Sequence, residues 1–351
     1  MSSKSPEVPN LKIRFAIVGM GHIGQRHATM IRQNSDCELV AVADIDHSLH
    51  TSLNKTFEVP VFSSIDDLLG SGLQFDVVNV CTPNSFHGPQ AIQILKSGYH
   101  VVVEKPMCLH KSDCEEVIHY SMQTGKLVFC VMQNRYSPPS IWLREILDSG
   151  ILGKIFQVQI NCFWNRDSRY YKADGWKGKK AIDGGTLFTQ FSHFIDIMYW
   201  LFGDIKNIHS RLYNFNHSGL TEFEDSGFAQ FDFLKGGSGT LSFSTSVWDK
   251  NLESSMTIIG ENGSIKVGGQ YMNEVEYCHI KDYQMPQLAE SSPANDYGHY
   301  KGSASNHHFV IENVIDVLKG RTVATTNALE GMKVVEIIEK IYAADSTNHR
   351  R

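Results

Sequence analysis

The segment Gly19-Met20-Gly21-His22-Ile23-Gly24 constrains this chain more than any other, because of what surrounds it. It follows residues 12–18, an apolar run with the composition of a buried strand, and opens a helical pattern that continues to about residue 34. About twenty residues further on, 38–43 reads as a second strand ending on Asp44. Glycines at these spacings permit a tight turn and let a pyrophosphate approach the backbone, while the helix N-terminus aims free N–H groups at it. An acidic residue at the end of the second strand accepts hydrogen bonds from ribose hydroxyls and repels a 2′-phosphate. The pattern predicts a dinucleotide site on Gly19, Gly21, His22, Ile23, Gly24 and Asp44, with NAD favoured over its phosphorylated counterpart.

The first third of the chain repeats this alternation. Residues 76–80, 100–103 and 127–131 are short apolar runs, separated by helical stretches near 64–70, 87–97 and 111–123. Such alternation predicts βαβ units and a doubly wound parallel sheet covered on both faces, the Rossmann type. The dinucleotide-binding domain is expected over 11–135. It follows a polar tail at 1–10 that lacks the apolar core of a secretion signal and reads as disordered.

Beyond Arg135 the pattern changes. Pro138-Pro139 can open a helix to Ser149, 154–163 reads as a strand, 164–185 as a long polar loop and 187–202 as one helix ended by Gly203. Strand-like segments follow at about 206–215, 226–234, 239–248, 253–260 and 264–267. The turns between them, such as Gly236-Gly-Ser-Gly239, favour antiparallel hairpins. After an irregular polar stretch at 280–305, amphipathic helices near 306–319 and 327–343 close the chain. The last carries Leu329, Met332, Val335, Ile338 and Tyr342 on one face.

Composition removes whole classes of function. The 351 residues carry 32 Lys+Arg against 38 Asp+Glu, a net charge of −6, which disfavours a dedicated nucleic-acid binder. No apolar run is long enough to span a bilayer. Seven cysteines, an odd number without a CxxC pair, read as reduced and mostly buried thiols in a cytoplasmic protein, and no metal site is expected. Residues 164–180 run against the overall charge: six Lys/Arg and two Asp, interleaved with Trp and Tyr.

Glu104-Lys105-Pro106 ends the fourth apolar strand. In a doubly wound sheet that end faces the ligand crevice, and a lysine desolvated there becomes a weaker acid-holder and a usable base. Taken alone, Lys105 could equally pair with Glu104 or cap a helix.

Gly19-x-Gly21-x-x-Gly24, Cys81-Thr82-Pro83-Asn84-Ser-Phe-His87, Glu104-Lys105-Pro106 and Gly184-Gly-Thr-Leu-Phe-Thr189-Gln190-Phe-Ser-His193-Phe-Ile-Asp196 fall in the order of the glucose–fructose oxidoreductase / inositol dehydrogenase (Gfo/Idh/MocA) family, which this chain resembles over almost its whole length. The resemblance implies a nucleotide-binding domain, then an α/β domain over 136–305 with an open, mostly antiparallel sheet that commonly forms an oligomer interface, and closing helices over 306–351. It implies Thr82, Pro83, Asn84, His87 and Glu104 along the cofactor. Lys105 would touch both nicotinamide ribose and substrate hydroxyl, and His193 would face the reacting carbon. Many members carry Asp four residues before this histidine; Thr189 stands there instead, which shifts the weight of acid–base chemistry onto Lys105 and His193.

Gln133-Asn-Arg135-Tyr136, Tyr170-Tyr171 with Trp176-Lys-Gly178, and Thr189-Gln190-x-x-His193 look like the UDP-N-acetyl-glucosaminuronate 3-dehydrogenase branch. Those bacterial enzymes oxidise a nucleotide sugar at carbon 3 for surface-polysaccharide sugars. Arg135, Tyr136, Tyr171, Trp176, Thr189 and Gln190 are then candidate substrate contacts beside Lys105 and His193, Arg135 and Tyr171 being preferred to Lys179 and Lys180. The resemblance further implies a homodimer or homotetramer and, in some relatives, 2-oxoglutarate as a recycling acceptor. A free-sugar or inositol dehydrogenase, and a catalytically silent NAD-binding regulator, remain open beside this reading.

Overall fold

In the computed structural model, which describes residues 11–346, two sheets share one long core; the expected tail at 1–10 lies outside the described residues. The first sheet contains β1 (Ile13–Val18), β2 (Cys37–Ala43), β3 (Val61–Phe62), β4 (Val77–Val80), β5 (His100–Val103) and β6 (Val128–Cys130). All pairs are parallel and the order is β3-β2-β1-β4-β5-β6. Helices α1 (His22–Gln33), α2 (His47–Phe57), α3 (Ile65–Leu69), α4 (His87–Lys96) and α5 (Lys111–Thr124) connect the strands. This is the expected Rossmann sheet. Strand order reverses between β1 and β4, so a crevice opens at their carboxyl ends.

The second part runs α6 (Pro138–Ser149), β7 (Ile155–Phe163), α7 (Lys180–Asp183), α8 (Thr186–Thr189), α9 (Ser192–Phe202), β8 (Ile205–Tyr213), β9 (Ser226–Phe233), β10 (Ser238–Ser244), β11 (Glu253–Gly260), β12 (Gly263–Gly268) and β13 (Glu274–Ile280). The sheet order is β13-β12-β11-β7-β10-β9-β8, antiparallel except where β10 lies parallel to β7. Alternation decides which face is covered. Val158, Ile160, Phe231, Leu241 and Ile258 are buried in one core with Trp142 of α6 and Phe194 and Met198 of α9. Burial of each such side chain contributes about 1.5–3 kcal/mol. The opposite face is open.

A small ribbon, β14 (Ala294–Asp296) with β15 (Lys301–Ala304), occupies the stretch expected to be irregular. The closing helices tie the halves together. Val310, Ile311, Val314 and Ile315 of α10 (His307–Leu318) join the core around Phe15 and Ile17. Val334, Val335 and Ile338 of α11 (Ala328–Ala343) join the core of the second sheet. Leu329, expected on the apolar face of α11, is exposed: it sits in the first turn, beside the Asn327–Glu330 capping box. All seven cysteines are free, and six are buried.

One departure from expectation matters for the site. The stretch 187–202 is not one helix. The ladder breaks at Gln190-Phe191, giving α8 and α9. Phe191 leaves helical geometry there, with φ −115° and ψ 5°. Gln190 is held from outside the helix, its amide oxygen accepting from Arg166 Nε at 2.8 Å and its amide nitrogen donating to the Tyr170 hydroxyl at 2.7 Å. The break leaves the Thr189 carbonyl at a helix end, where a partner outside the helix can reach it.

Candidate active site

A cavity of about 620 Å³ runs from the Gly-rich turn to α9, within the range usual for small-molecule sites. At one end Gly19 takes φ +88°, and a Cβ there would lie 2.7 Å from the Cys81 carbonyl oxygen. A Cβ on Gly24 would lie 1.9 Å from the Gly19 oxygen. Those two glycines serve the turn's own packing. Around Gly21 a Cβ would meet nothing within 4 Å, so this side of the turn is open. Helix α1 starts there with no side-chain cap and no acidic residue in its first turn. Unsatisfied N–H groups beside open space are what a phosphate needs. His22, Ile23 and Asp44 line the same end. The Asp44 carboxylate accepts from Met20 N at 2.6 Å and Asp46 N at 2.8 Å, which fixes it at the end of β2 where a ribose would lie. The residues present fit a dinucleotide.

Thr82, Pro83, Asn84, His87, Glu104 and Lys105 form the middle of the wall. The loop after β4 and the turn after β5 are tied together by the His87 ring, which lies 2.7 Å from the carbonyl oxygens of both Thr82 and Pro106. Glu104 is buried, with His27 Nε2 at 3.0 Å and His307 Nε2 at 3.7 Å. Burial works against its charge, but His27 wins and draws the carboxyl down to about 2. Burial likewise opposes the charge on His27, which Cys81 and Glu104 nonetheless push up to about 10. The three groups lie within 4.8 Å; as an ion pair plus a neutral imidazole they account for their own charges, and Glu104 Oε2 accepts from the Lys105 backbone N–H at 3.2 Å.

Lys105 Nζ donates to the Thr189 carbonyl at 2.6 Å, the group released by the helix break. Burial lowers the Lys105 pKa against the opposing pull of Glu104 and Asp183. Thr189 Oγ1 in turn donates to Asp183 Oδ1 and receives Asn84 Nδ2 at 2.8 Å. A buried carboxylate thus stands behind Thr189, at the position where the family resemblance implies Asp. Burial raises Asp183 to about 6. His193 is buried on α9 and lines the cavity. Burial, then Lys105, pushes its pKa well below the usual value, so the ring is neutral. Its Nε2 lies 3.3 Å from Gln133 Nε2, and its Nδ1 has no partner.

Trp176, Thr189 and Gln190 also line the cavity. Three candidates do not. Arg135 is turned into the fold, with Asp196 at 2.6 and 2.9 Å and Glu330 at 2.7 Å. A bidentate carboxylate and a second acid satisfy that guanidinium inside the protein. Tyr136 stacks on Phe309 at 5.6 Å, on the α10 side of the core. Tyr171 is buried among Tyr170, His217 and Phe223, one layer behind the wall.

The cavity also takes residues that sequence reasoning missed. Trp164, Arg166, Tyr170 and Lys177 come from the stretch expected to be a polar loop, and Tyr297, Tyr300, Ser303 and His307 from the ribbon and the start of α10. The interleaving of basic and aromatic residues over 164–180 was the available signal for the first group. Nothing in the local pattern marked the second.

Residues 13–132 match the Gfo/Idh/MocA oxidoreductase family in its NAD-binding Rossmann fold, and 141–266 match the family's C-terminal domain. The chain is 24% identical to D-glucoside 3-dehydrogenase of Escherichia coli over 96% of this chain and 97% of the relative. The structure is similar to that of the WlbA dehydrogenase from Bordetella pertussis, solved with NADH and UDP-GlcNAcA. The TM-score is 0.86 at 29% identity, covering 96% of this chain and 97% of that one. The Chromobacterium violaceum WlbA dehydrogenase, solved with the same two ligands, also gives 0.86 at 29% identity, covering 98% and 97%. With an NAD-binding turn, a Glu-Lys-Pro strand end and an open second sheet all in place, the chain belongs to the Gfo/Idh/MocA family of NAD-dependent oxidoreductases.

Proposed function

We propose that this enzyme oxidises a UDP-linked N-acetyl-glucosaminuronate at carbon 3, with NAD as cofactor, in the making of surface-polysaccharide sugars. The observation that carries the reading is the junction at Lys105, where one amine from the dinucleotide side is held by Thr189 of the sugar side, in a cavity that a neutral His193 also lines. The similarity to two WlbA dehydrogenases supports the nucleotide sugar as substrate.

NAD, when bound, accepts the hydride that leaves the carbinol carbon. Lys105 Nζ, as the neutral amine that its desolvation favours, takes the proton from the hydroxyl as the C–O bond becomes a carbonyl. His193 lines the cavity beside the amine, and its neutral ring spares the site an additional positive charge beside a departing proton. Thr189 and Asn84 fix the amine and exclude disorder at the reacting end. Regeneration of the cofactor by 2-oxoglutarate, and assembly as a homodimer or homotetramer, complete the reading. The uncovered face of the second sheet, where Phe228, Ile259 and Tyr277 are exposed, is suited to a second copy.

The test is a panel of UDP-sugars and free polyols with NAD, with and without 2-oxoglutarate, following reduced cofactor. UDP-N-acetyl-glucosaminuronate is expected to be turned over, and Lys105→Met to lower kcat at least about 10³-fold with cofactor binding retained. Turnover of myo-inositol or glucose in place of any UDP-sugar would overturn the substrate; near-normal kcat in Lys105→Met would remove the base.

A further inference from the structure

We propose that Arg166 and Lys177 form an anion subsite in the sugar end of the cavity that reads a carboxylate carried by the sugar ring itself; this rests on the nucleotide-sugar reading above and assigns which group of such a substrate is recognised where. Both residues line the cavity. Arg166 is 2% exposed. Its hydrogen bonds all go to neutral acceptors: Gln190 Oε1 at 2.8 Å, the Asn165 carbonyl at 2.6 Å, Asn251 Oδ1 at 3.2 Å and the Lys301 carbonyl at 3.0 Å. These bonds aim the guanidinium without neutralising it. Three ring faces surround the charge, with Trp164, Tyr170 and Tyr300 centroids at 4.8, 5.2 and 4.9 Å. Lys177 reaches two of these rings, its Nζ 3.9 Å from the Tyr170 centroid and 3.3 Å from the Tyr300 hydroxyl. Among the described residues neither cation makes an ion pair.

A buried charge without an ion-pair partner is costly, and the half-buried Lys177 beside Arg166 adds to that cost. Aromatic faces offset part of that cost, but a bound anion would offset it directly and would be held in a water-poor site where the attraction is strong. Position selects which anion. Arg166 holds Gln190, the residue after Thr189, and the Thr189 carbonyl holds the Lys105 amine. The subsite therefore adjoins the reacting end, so it suits an acid on the ring being oxidised rather than a diphosphate separated from it by the glycosidic oxygen. Arginine and lysine together give the fork and the point charge that a carboxylate accepts well.

The experiment measures binding of UDP, UDP-N-acetyl-glucosamine and UDP-N-acetyl-glucosaminuronate to the NADH-loaded enzyme by calorimetry, for the native protein and for Lys177→Met, which keeps the aliphatic stem. The substitution is expected to weaken the uronate about 10- to 100-fold and to change the two ligands without a sugar carboxylate by less than about 3-fold. Arg166→Met, checked for folding by its melting curve, is expected to give the same selective loss. An equal loss for all three ligands would place the pair on the diphosphate, and no loss for any would remove it from the site; either overturns the proposal. Glucuronate against glucose, run on the same two proteins, separates the two readings. If the native enzyme ignores every UDP ligand, the nucleotide-sugar reading fails, while a preference for glucuronate that Lys177→Met abolishes still supports the subsite.

Discussion

Arg135 and Arg166 are equally buried, at 2% exposure, yet belong to regions built on opposite logic. Arg135 sits where α6, α9 and α11 meet, and two carboxylates and a backbone carbonyl take up its donors. Arg166 sits in the cavity wall, where neutral oxygens and aromatic rings hold it in place. The first is a cross-link between segments far apart in sequence. The second keeps its charge for something that is not protein. A buried arginine is thus not one kind of evidence: the charge of its acceptors decides whether it speaks for the fold or for a ligand.

The sharpest way to break that contrast is Arg135→Met. Removing the guanidinium leaves Asp196, which has no exposed side-chain surface, without its counterion. Breaking a buried pair from one side costs about 3–5 kcal/mol. Chemical denaturation is expected to show a loss of that size, while ligand selectivity among the surviving folded molecules stays as in the native protein. A loss smaller than that of Arg166→Met would dissolve the distinction between the two.

The same contrast explains what could be read from sequence. The crevice formed by the first sheet was legible almost residue by residue, because its determinants are local. Gly19, Gly21 and Gly24 act within one turn, Asp44 ends the next strand, and Lys105 ends a strand whose apolar run is plain. The opposite wall is built by long-range pairing. Arg135 finds Asp196 and Glu330 at separations of 61 and 195 residues, which no pattern around residue 135 reveals. Its position beside Gln133 and Tyr136 made a ligand contact the natural expectation. Residues 164–185 read as a long polar loop whose basic and aromatic stretch suits a solvated face and a ligand contact equally; the pattern does not say which side chains turn inward, and Arg166 and Tyr170 do. The β13 edge strand (Glu274–Ile280) gave no sign because its side chains are mostly exposed on both faces. Helix α2 was missed for a related reason: it buries only Leu53 and Phe57.

Between the two regions stands Asp183, the carboxylate behind Thr189. It does not touch the Lys105 amine; it acts by holding Thr189 Oγ1 and the Gly178 N–H, the latter at 2.7 Å, so it is a positioning residue. Asp183→Asn is expected to lower kcat about 10-fold, near 1.4 kcal/mol, with KM for the sugar little changed. It also removes a negative charge that raises Lys105, so the acidic limb of the kcat/KM profile is expected to move to lower pH. A fall in kcat with an unmoved profile would leave Asp183 as packing alone.

The smallest effect concerns the support behind α8. Glu224 is buried and accepts from Thr186 N at 3.0 Å and from the Tyr342 hydroxyl. Burial raises it to about 7, from an ordinary value near 4.5. Its folded pKa is the higher one, so between about pH 4.5 and 7 the folded chain keeps a proton that the unfolded chain has released. Its contribution to stability is therefore full below 4.5 and is lost as pH rises through 7, with a slope of at most about 1.4 kcal/mol per pH unit. Asp183 falls off in the same sense but finishes near 6, and the buried histidines, which differ from their ordinary 6.5, also contribute between 6 and 7; a comparison of two proteins that share them isolates Glu224. Glu224→Gln keeps the acceptor for Thr186 and cannot ionise. Measured against the native protein by denaturation at pH 6 and pH 7, it is expected to gain about 1 kcal/mol in relative stability across that step. A difference that stays constant across the step would mean that Glu224 is already ionised in the fold, and that α8 rests on a charge rather than on a shared proton.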